Sequence, residues 1–495
     1  MLINILIFCP IVAAIAGLLG APARRTALLA SLINLAVALV AVCSYDKGGP
    51  AFQFVYEHGI LPEWRLSYLV GADGLSLLMI LLTAIVTFSA VWVSPPVERL
   101  EKQFYACLLF ISAGAMGAFA SIDLFFFYAF HELALIPTFL LIGIWGSGDR
   151  HAAAWKITIY LALGSFVLLL GLIGLYQGVP AALRTFDIRG LQELAASGKI
   201  HPASANTIYL LLLVGFGILI SLFPFHTWAP RAYAAAPAPA AMLHAGVLKK
   251  FGLYGLLRVA LPLLPNAARH WTHLLLILLI GNIIYTGLVA ISQKRLDMML
   301  GYSSVMHMGY IFLGIATLNT LGLNGAAFLM FAHGLSIAAL FAVAGQLRKR
   351  TETLAFEDLG GLAKPMPFLG FVFGLAAFAS IGLPGFANFA SEILVFFGAF
   401  KSHLGGGWHF FGFRLATVLA LWGVVLSAVY MLRAYRAVFM GEVPSRWNNL
   451  PDLKFSLRWP ISLLIATLLF AGFFPRVFLA FLAPSVKAAT FRETL

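Results

Sequence analysis

Long apolar runs alternate with short polar stretches from one end of the chain to the other. Each run is close to the roughly 20 residues that an α-helix needs to cross a bilayer. About fourteen can be marked out: 2–20, 24–44, 73–94, 103–119, 121–145, 153–177, 206–223, 238–262, 272–293, 299–319, 322–346, 367–399, 411–437 and 457–482. A segment facing lipid must satisfy its own backbone hydrogen bonds, so runs of this length predict helices. A membrane barrel would instead show alternating residues in runs of about ten. The pattern therefore predicts an all-α polytopic membrane protein with about 14 transmembrane helices. The first run, MLINILIFCPIVAAIAGLLG, has no basic region before it and no A-x-A cleavage site, which predicts a retained span.

Two of the runs are interrupted. The seventh leads into LFPFHTWAP, with Pro224 and Pro230, and the twelfth contains IGLPGFANFASE, with Gly382, Pro384 and Gly385. Proline removes an amide donor and glycine weakens a helix, so helices 7 and 12 are expected to break there. Two breaks five helices apart point to an internal repeat whose two five-helix units are inverted relative to one another. The expected organisation is 1–102 with helices 1–3, 103–262 as the first repeat, 263–437 as the second, and 438–495 as a C-terminal loop and helix 14. Ordinary Pro/Gly kinks are the alternative explanation of the breaks.

Composition agrees with the pattern: 61% of residues are hydrophobic and 10% charged, and the mean hydropathy is +0.95. Soluble multi-domain readings are excluded, since soluble chains carry about a quarter charged residues. The net charge of +13 follows the loops and does not form a nucleic-acid patch, so no nucleic-acid partner is expected. Loops after odd-numbered runs hold the larger share of Lys and Arg, which predicts that both termini face outward from an inner (cytoplasmic) cell membrane. Cys9, Cys43 and Cys107 are isolated, and no Gly-rich nucleotide loop precedes a Lys-Ser/Thr pair, so no metal and no cofactor is expected in this chain.

The ionisable residues inside the runs form a series. Asp123 and Glu132 lie in the fifth run, His226 ends the seventh, and His244, Lys249 and Lys250 lie in the eighth. His307, His333 and Glu392 follow in the tenth, eleventh and twelfth. Charges in the membrane are costly and mark function by default, and a proton path needs groups whose charge can change at each hop. Asp123 is also placed to cap a helix, and His244 to serve as a packing residue.

Several of these stretches resemble the antiporter-like, proton-pumping subunits of respiratory complex I, most closely the M type. They are FHELALIPTFLLIGIWG, FPFHTWAP with the following APAPAAMLHAGVLKKFGLYGLLR, GYSSVMHMGY, FAHGLS and GLPGFANFASEILVFFGAF; VGADGLSLLMILLT resembles the start of the third helix. The resemblance implies a membrane-arm subunit that couples electron transfer elsewhere to proton pumping. It implies L-like and N-like neighbours, a peripheral redox arm, and FMN, iron–sulfur clusters and quinone held by other subunits. By resemblance Glu132 is the helix-5 glutamate that pairs with a helix-7 lysine, and Lys250 is the central lysine. His307 and His333 are the bridging histidines, and Glu392 is the terminal relay residue. An Mrp-type sodium/proton antiporter subunit, a membrane subunit of an energy-converting hydrogenase and a non-pumping scaffold remain the alternatives.

The chain departs from the family at three places. The helix-7 lysine position is Leu219, Arg231 stands where an acidic residue is usual, and Asp297 stands where a basic one is common. Adjacent helical residues point about 100° apart, so Lys249 and Lys250 address different sides of helix 8. One expectation is that Lys249 turns towards helix 7 and Glu132, in place of the absent lysine. The others are that it snorkels, meets a neighbouring subunit, or neutralises another carboxylate.

Overall fold

The computed structural model describes residues 1–200, 202–402 and 412–489. Residue 411 of the thirteenth run and 490–495 of the C-terminal region lie outside the described residues. Among the described residues, twelve helices are long and apolar enough to cross a membrane. The eighth and twelfth runs are helical in shorter pieces.

The helices sort into an inner and an outer set. Gly74–Val93, Glu101–Ala120, Leu296–Ala316 and Thr320–Thr351 are enclosed almost completely by the rest of the chain. Around them stand Leu2–Leu19, Ala23–Cys43, Leu124–Trp145, Arg150–Gln177, Pro265–Ser292, Phe413–Phe439 and Phe455–Phe473, each less than half buried. Their outward faces carry Leu29, Ile136, Trp155, Phe166, Trp422 and Phe470. Helices with apolar residues on both faces suit this position, packed on one side and in hydrocarbon on the other.

Both expected breaks are present. Helix Pro202–Ile220 stops at Ser221, which takes φ 71°, and a short turn at Phe225–Thr227 leads into Trp228–Ala235. The freed backbone groups are satisfied from the ninth run. Asn282 accepts from the Phe223 amide at 2.6 Å and donates to the Ser221 carbonyl at 3.0 Å. Helix Pro367–Ile381 ends on Gly382 at φ 81°, and the chain resumes as Ala387–Lys401.

Four features differ from the sequence-based expectation. First, the chain is not wholly helical: Gln53–Leu61 and Leu66–Ala72 form an antiparallel hairpin that pairs Glu57 with Leu69 and His58 with Tyr68. Second, the polar stretch 178–205 contains a short helix, Ile188–Ala196, with Ile188 and Leu191 buried beneath it. Third, the fourteenth run is two helices, Phe455–Phe473 and Pro475–Ala489, because Pro475 begins a new helix. Gly74 admits the second of these, since a Cβ there would lie 1.7 Å from the Phe481 carbonyl oxygen. Fourth, the eighth run contains two π-helical turns, His244–Leu248 and Leu256–Ala260. A π turn holds an extra residue and so rotates the side chains that follow it.

Two contacts fix the eighth run in the bundle. Gly246 meets Gly334 of Thr320–Thr351 so closely that a Cβ on either would come within 2.7–3.0 Å of the other's carbonyl oxygen. At the far end, Arg258 forms a buried ion pair with Asp73, which also caps Gly74–Val93 by accepting from the Ser76 amide at 2.9 Å. Tyr254 completes this cluster. It accepts from Arg258 Nε at 3.2 Å, lies 2.9 Å from Ser76 Oγ and donates to the Phe119 carbonyl at 3.0 Å.

Removing one member of a buried ion pair strands the other, at a cost of about 3–5 kcal/mol. Arg258→Met is therefore expected to lower the thermal stability of the purified chain strongly, while Asp73→Asn/Arg258→Met together recover part of the loss. Gly334→Ala is expected to cost about 1–3 kcal/mol by overpacking, read as a lower melting temperature. Unchanged melting in either single variant contradicts the packing described.

Candidate functional site

The interior charges begin at the glycine contact. Because Gly246 and Gly334 let the two helices touch, the Lys250 ammonium reaches His333 and donates to its Nδ1 at 2.9 Å. Its second bond goes to the Ala245 carbonyl at 2.6 Å. No carboxylate contacts this fully buried cation among the described residues. The next ring, His307, lies 5.4 Å from His333 between centroids.

His307 is held between two carbonyls. Nδ1 faces Ser303 O at 2.7 Å and Nε2 faces Ser380 O at 2.8 Å. Both partners are acceptors, and a neutral imidazole has a single N–H, so the protonated ring alone satisfies both. Ser380 lies at the end of Pro367–Ile381, two residues before Gly382. The Glu392 carboxylate fills the space where a Cβ on Gly382 would be, 2.4 Å from Oε2. Glu392 is buried, its Oε1 has no hydrogen-bond partner within the chain, and Tyr310 and Tyr430 lie within electrostatic range. Lys250, His333, His307 and Glu392, taken from four different runs, thus form one row.

Lys249 is equally buried but faces elsewhere. It donates to Ser304 Oγ at 3.3 Å and lies over the Tyr233 ring at 5.3 Å. The structure corrects the expectation that it replaces the helix-7 lysine beside Glu132. It does reach Tyr233 of Trp228–Ala235, the helix after the seventh-run break, but its ammonium is directed at the tenth run. Tyr233 connects two features: its hydroxyl lies 3.3 Å from His244 Nδ1, and it lines a cavity of about 270 Å³. Asp297, Gln346, Arg348 and Lys349 also line that cavity. Asp297 is buried there between Arg295, at 2.7 Å, and Arg348, and Lys349 is exposed.

Glu132 lies apart from the row. Its side chain is 38% exposed, and among the described residues the cationic group in salt-bridge contact with it is His131, Nδ1 to Oε1 at 3.9 Å, with Tyr128 and Ser165 also against the carboxylate. In place of a helix-7 lysine, the contact comes from the adjacent residue of its own helix. Leu219, the family's lysine position, is packed against Gly164.

Asp123 is a helix cap. Its Oδ1 accepts from the Phe125 and Phe126 amides at 2.8 and 3.1 Å, the capping position that its place at the start of the run allows. His226 sits in the seventh-run break, stacked on Phe223 at 5.5 Å, with Nδ1 unpartnered and Lys249 within electrostatic range.

Sequence reasoning missed His131, Tyr233, Ser304 and the Asp73–Arg258 pair. The only signal for His131 was its position beside Glu132. Tyr233 and Ser304 carry no charge to draw attention, and Asp73 and Arg258 are brought together only by folding. Taken together, the arrangement provides buried ionisable groups without a fixed counter-ion.

Residues 121–420 match the family described as NADH:quinone oxidoreductase/Mrp antiporter, TM. An NADH-quinone oxidoreductase subunit M of Rickettsia bellii is 34% identical over 451 residues, covering 91% of this chain and 88% of that protein. A chain of respiratory complex I from Thermus thermophilus with bound NADH superposes with a TM-score of 0.89 at 28% identity, covering 99% of both. A chain of the Mrp complex from a Dietzia species shares the fold, with a TM-score of 0.84 at 20% identity over 100% of this chain and 97% of that one. The chain belongs to the NADH:quinone oxidoreductase/Mrp antiporter family of membrane proteins.

Proposed function

We propose that this chain is an M-type membrane-arm subunit of a complex-I-type quinone oxidoreductase and that it carries protons across the bilayer. The observation that carries this reading is the buried row Lys250, His333, His307, Glu392, in which no cation has a fixed carboxylate partner. Redox chemistry belongs to FMN, iron–sulfur clusters and quinone in other subunits. Neighbouring membrane subunits of the L and N type flank the chain in a bacterial inner membrane, with both termini outward. Its core is two inverted five-helix units, 103–262 and 263–437, between 1–102 and 438–495.

Protons enter from the cavity at Asp297 and Arg348 and pass Tyr233 to Lys249 and His244. A cavity of about 270 Å³ has room for several waters, at roughly 30 Å³ each. Lys250 and His333 share the central proton. His307 passes charge towards Glu392, beside the unwound backbone of the twelfth-run break. Energy travels as pairwise electrostatics. Two charges 4 Å apart interact by about 4 kcal/mol at an effective dielectric of 20, enough to change a protonation ratio about a thousandfold.

The test is proton uptake per electron in sealed vesicles carrying the assembled complex. Glu392→Gln and Lys250→Met are each expected to slow coupled proton uptake by at least about tenfold, as for loss of a group that holds the transferred proton. Lys249→Met is expected to slow uptake while leaving assembly intact. If all three variants assemble and pump as the native complex does, the chain is a scaffold and the proton-carrying reading is wrong.

A further inference from the structure

We infer that His131 is the ionisable partner that links Glu132 to the lysine pair, a role that the apolar Leu219 cannot fill and that Lys249 does not take. This inference rests on the proton-carrying reading. Four observations support it.

The first is proximity. His131 Nδ1 lies 3.9 Å from Glu132 Oε1, and no other cationic group is in salt-bridge contact with Glu132 among the described residues. The second is orientation. The His131 ring lies flat on Phe251, with centroids 3.9 Å apart and planes 18° apart, and Phe251 directly follows Lys250. The stack holds the imidazole against the eighth run, on the residue that follows Lys250 in sequence, while the Glu132 side chain is 38% exposed. His131 is only 5% exposed, so it is the inward member of the pair.

The third observation is a junction. His244 lies within electrostatic range of Lys249, His131 and Lys250 together. A charge placed on or taken from His131 is therefore felt at the same point as the charges of both lysines. The fourth is a set of unpaired atoms. His131 Nδ1 and His244 Nε2 are both buried with no hydrogen-bond partner within the chain, and Tyr128 and Ser165 lie against the Glu132 carboxylate. Buried polar atoms are almost always paired, and these two belong to the imidazoles between Glu132 and the lysines. Packing alone would be served as well by a phenyl ring at position 131, stacked on Phe251, whose ring also stacks on Phe127.

In this arrangement His131 alternates between two forms. As imidazolium it pairs with the Glu132 carboxylate and raises the positive potential at His244. When the Nδ1 proton passes to the Glu132 carboxylate, the ion pair becomes a neutral pair and the positive potential at His244 falls. One N–H bond is broken as one O–H bond is formed, and no oxidant or reductant is needed.

The test uses the assembled complex in sealed vesicles. His131→Phe retains the aromatic stack and removes ionisation, and it is expected to slow proton uptake by at least about tenfold, as Glu392→Gln does. Adding Leu219→Lys is expected to restore a substantial part of that loss, because a packing defect is not repaired by a charge on another helix. If His131→Phe disturbs assembly, His131→Gln is measured in the same way. Native-like uptake in either His131 variant beside a defective Glu392→Gln overturns this inference and leaves the proton-carrying reading standing. Native-like uptake in Glu392→Gln as well overturns that reading itself. Failure of Leu219→Lys to restore His131→Phe, when Leu219→Lys alone assembles and pumps, also overturns the inference.

Discussion

The interior depends on one contact, that of the Lys250 ammonium with His333 across two touching glycines. A charge far from water is tolerated only when its hydrogen bonds are met. Here one carbonyl and one imidazole accept two of its three N–H bonds, and neither neutralises the charge. The cation is therefore held in place but remains sensitive to every other charge nearby. Asp73 and Arg258 show the opposite solution in the same bundle. There a carboxylate, a guanidinium, a phenol and a hydroxyl close on one another, and the pair fixes the eighth run to the third. One set of buried charges is locked and serves architecture, while the other is left without a counter-ion.

The breaks in the seventh and twelfth runs belong to the same design. Unwound backbone exposes carbonyls and amides that a continuous helix would consume. At the seventh run Asn282 satisfies them and holds the turn. At the twelfth, the carbonyl of Ser380 is turned to His307, and Gly382 leaves room for the Glu392 carboxylate. A side chain at Gly382 would displace the row's last member, and its φ of 81° is disfavoured for any residue with a Cβ. The glycine serves both the turn and the site.

The architecture was legible where it rests on local chemistry. Unbroken apolar runs marked the helices, Pro and Gly marked the breaks, and in-run Lys250, His307, His333 and Glu392 stood out by cost alone. Other features depend on what folding brings together. Asp73 and Arg258 are 185 positions apart, and only the closed bundle pairs them. The direction of Lys249 follows from the π turn at 244–248, which rotates the helix in a way that no ordinary helical spacing anticipates. Asp123 was ambiguous because a capping carboxylate and a buried one look alike until the amides that reach it are seen. The hairpin at 53–72 lay hidden in a stretch whose first strand is exposed and whose second is buried.

The most direct measurement is infrared difference spectroscopy of the assembled complex during quinone reduction, comparing the native protein with Glu392→Gln. If the buried row changes protonation with each turnover, the native complex shows a carboxylic-acid C=O band that shifts or changes amplitude on reduction and is missing from the variant. A native difference spectrum with no such band, or a band that persists unchanged in Glu392→Gln, would contradict proton movement through this row.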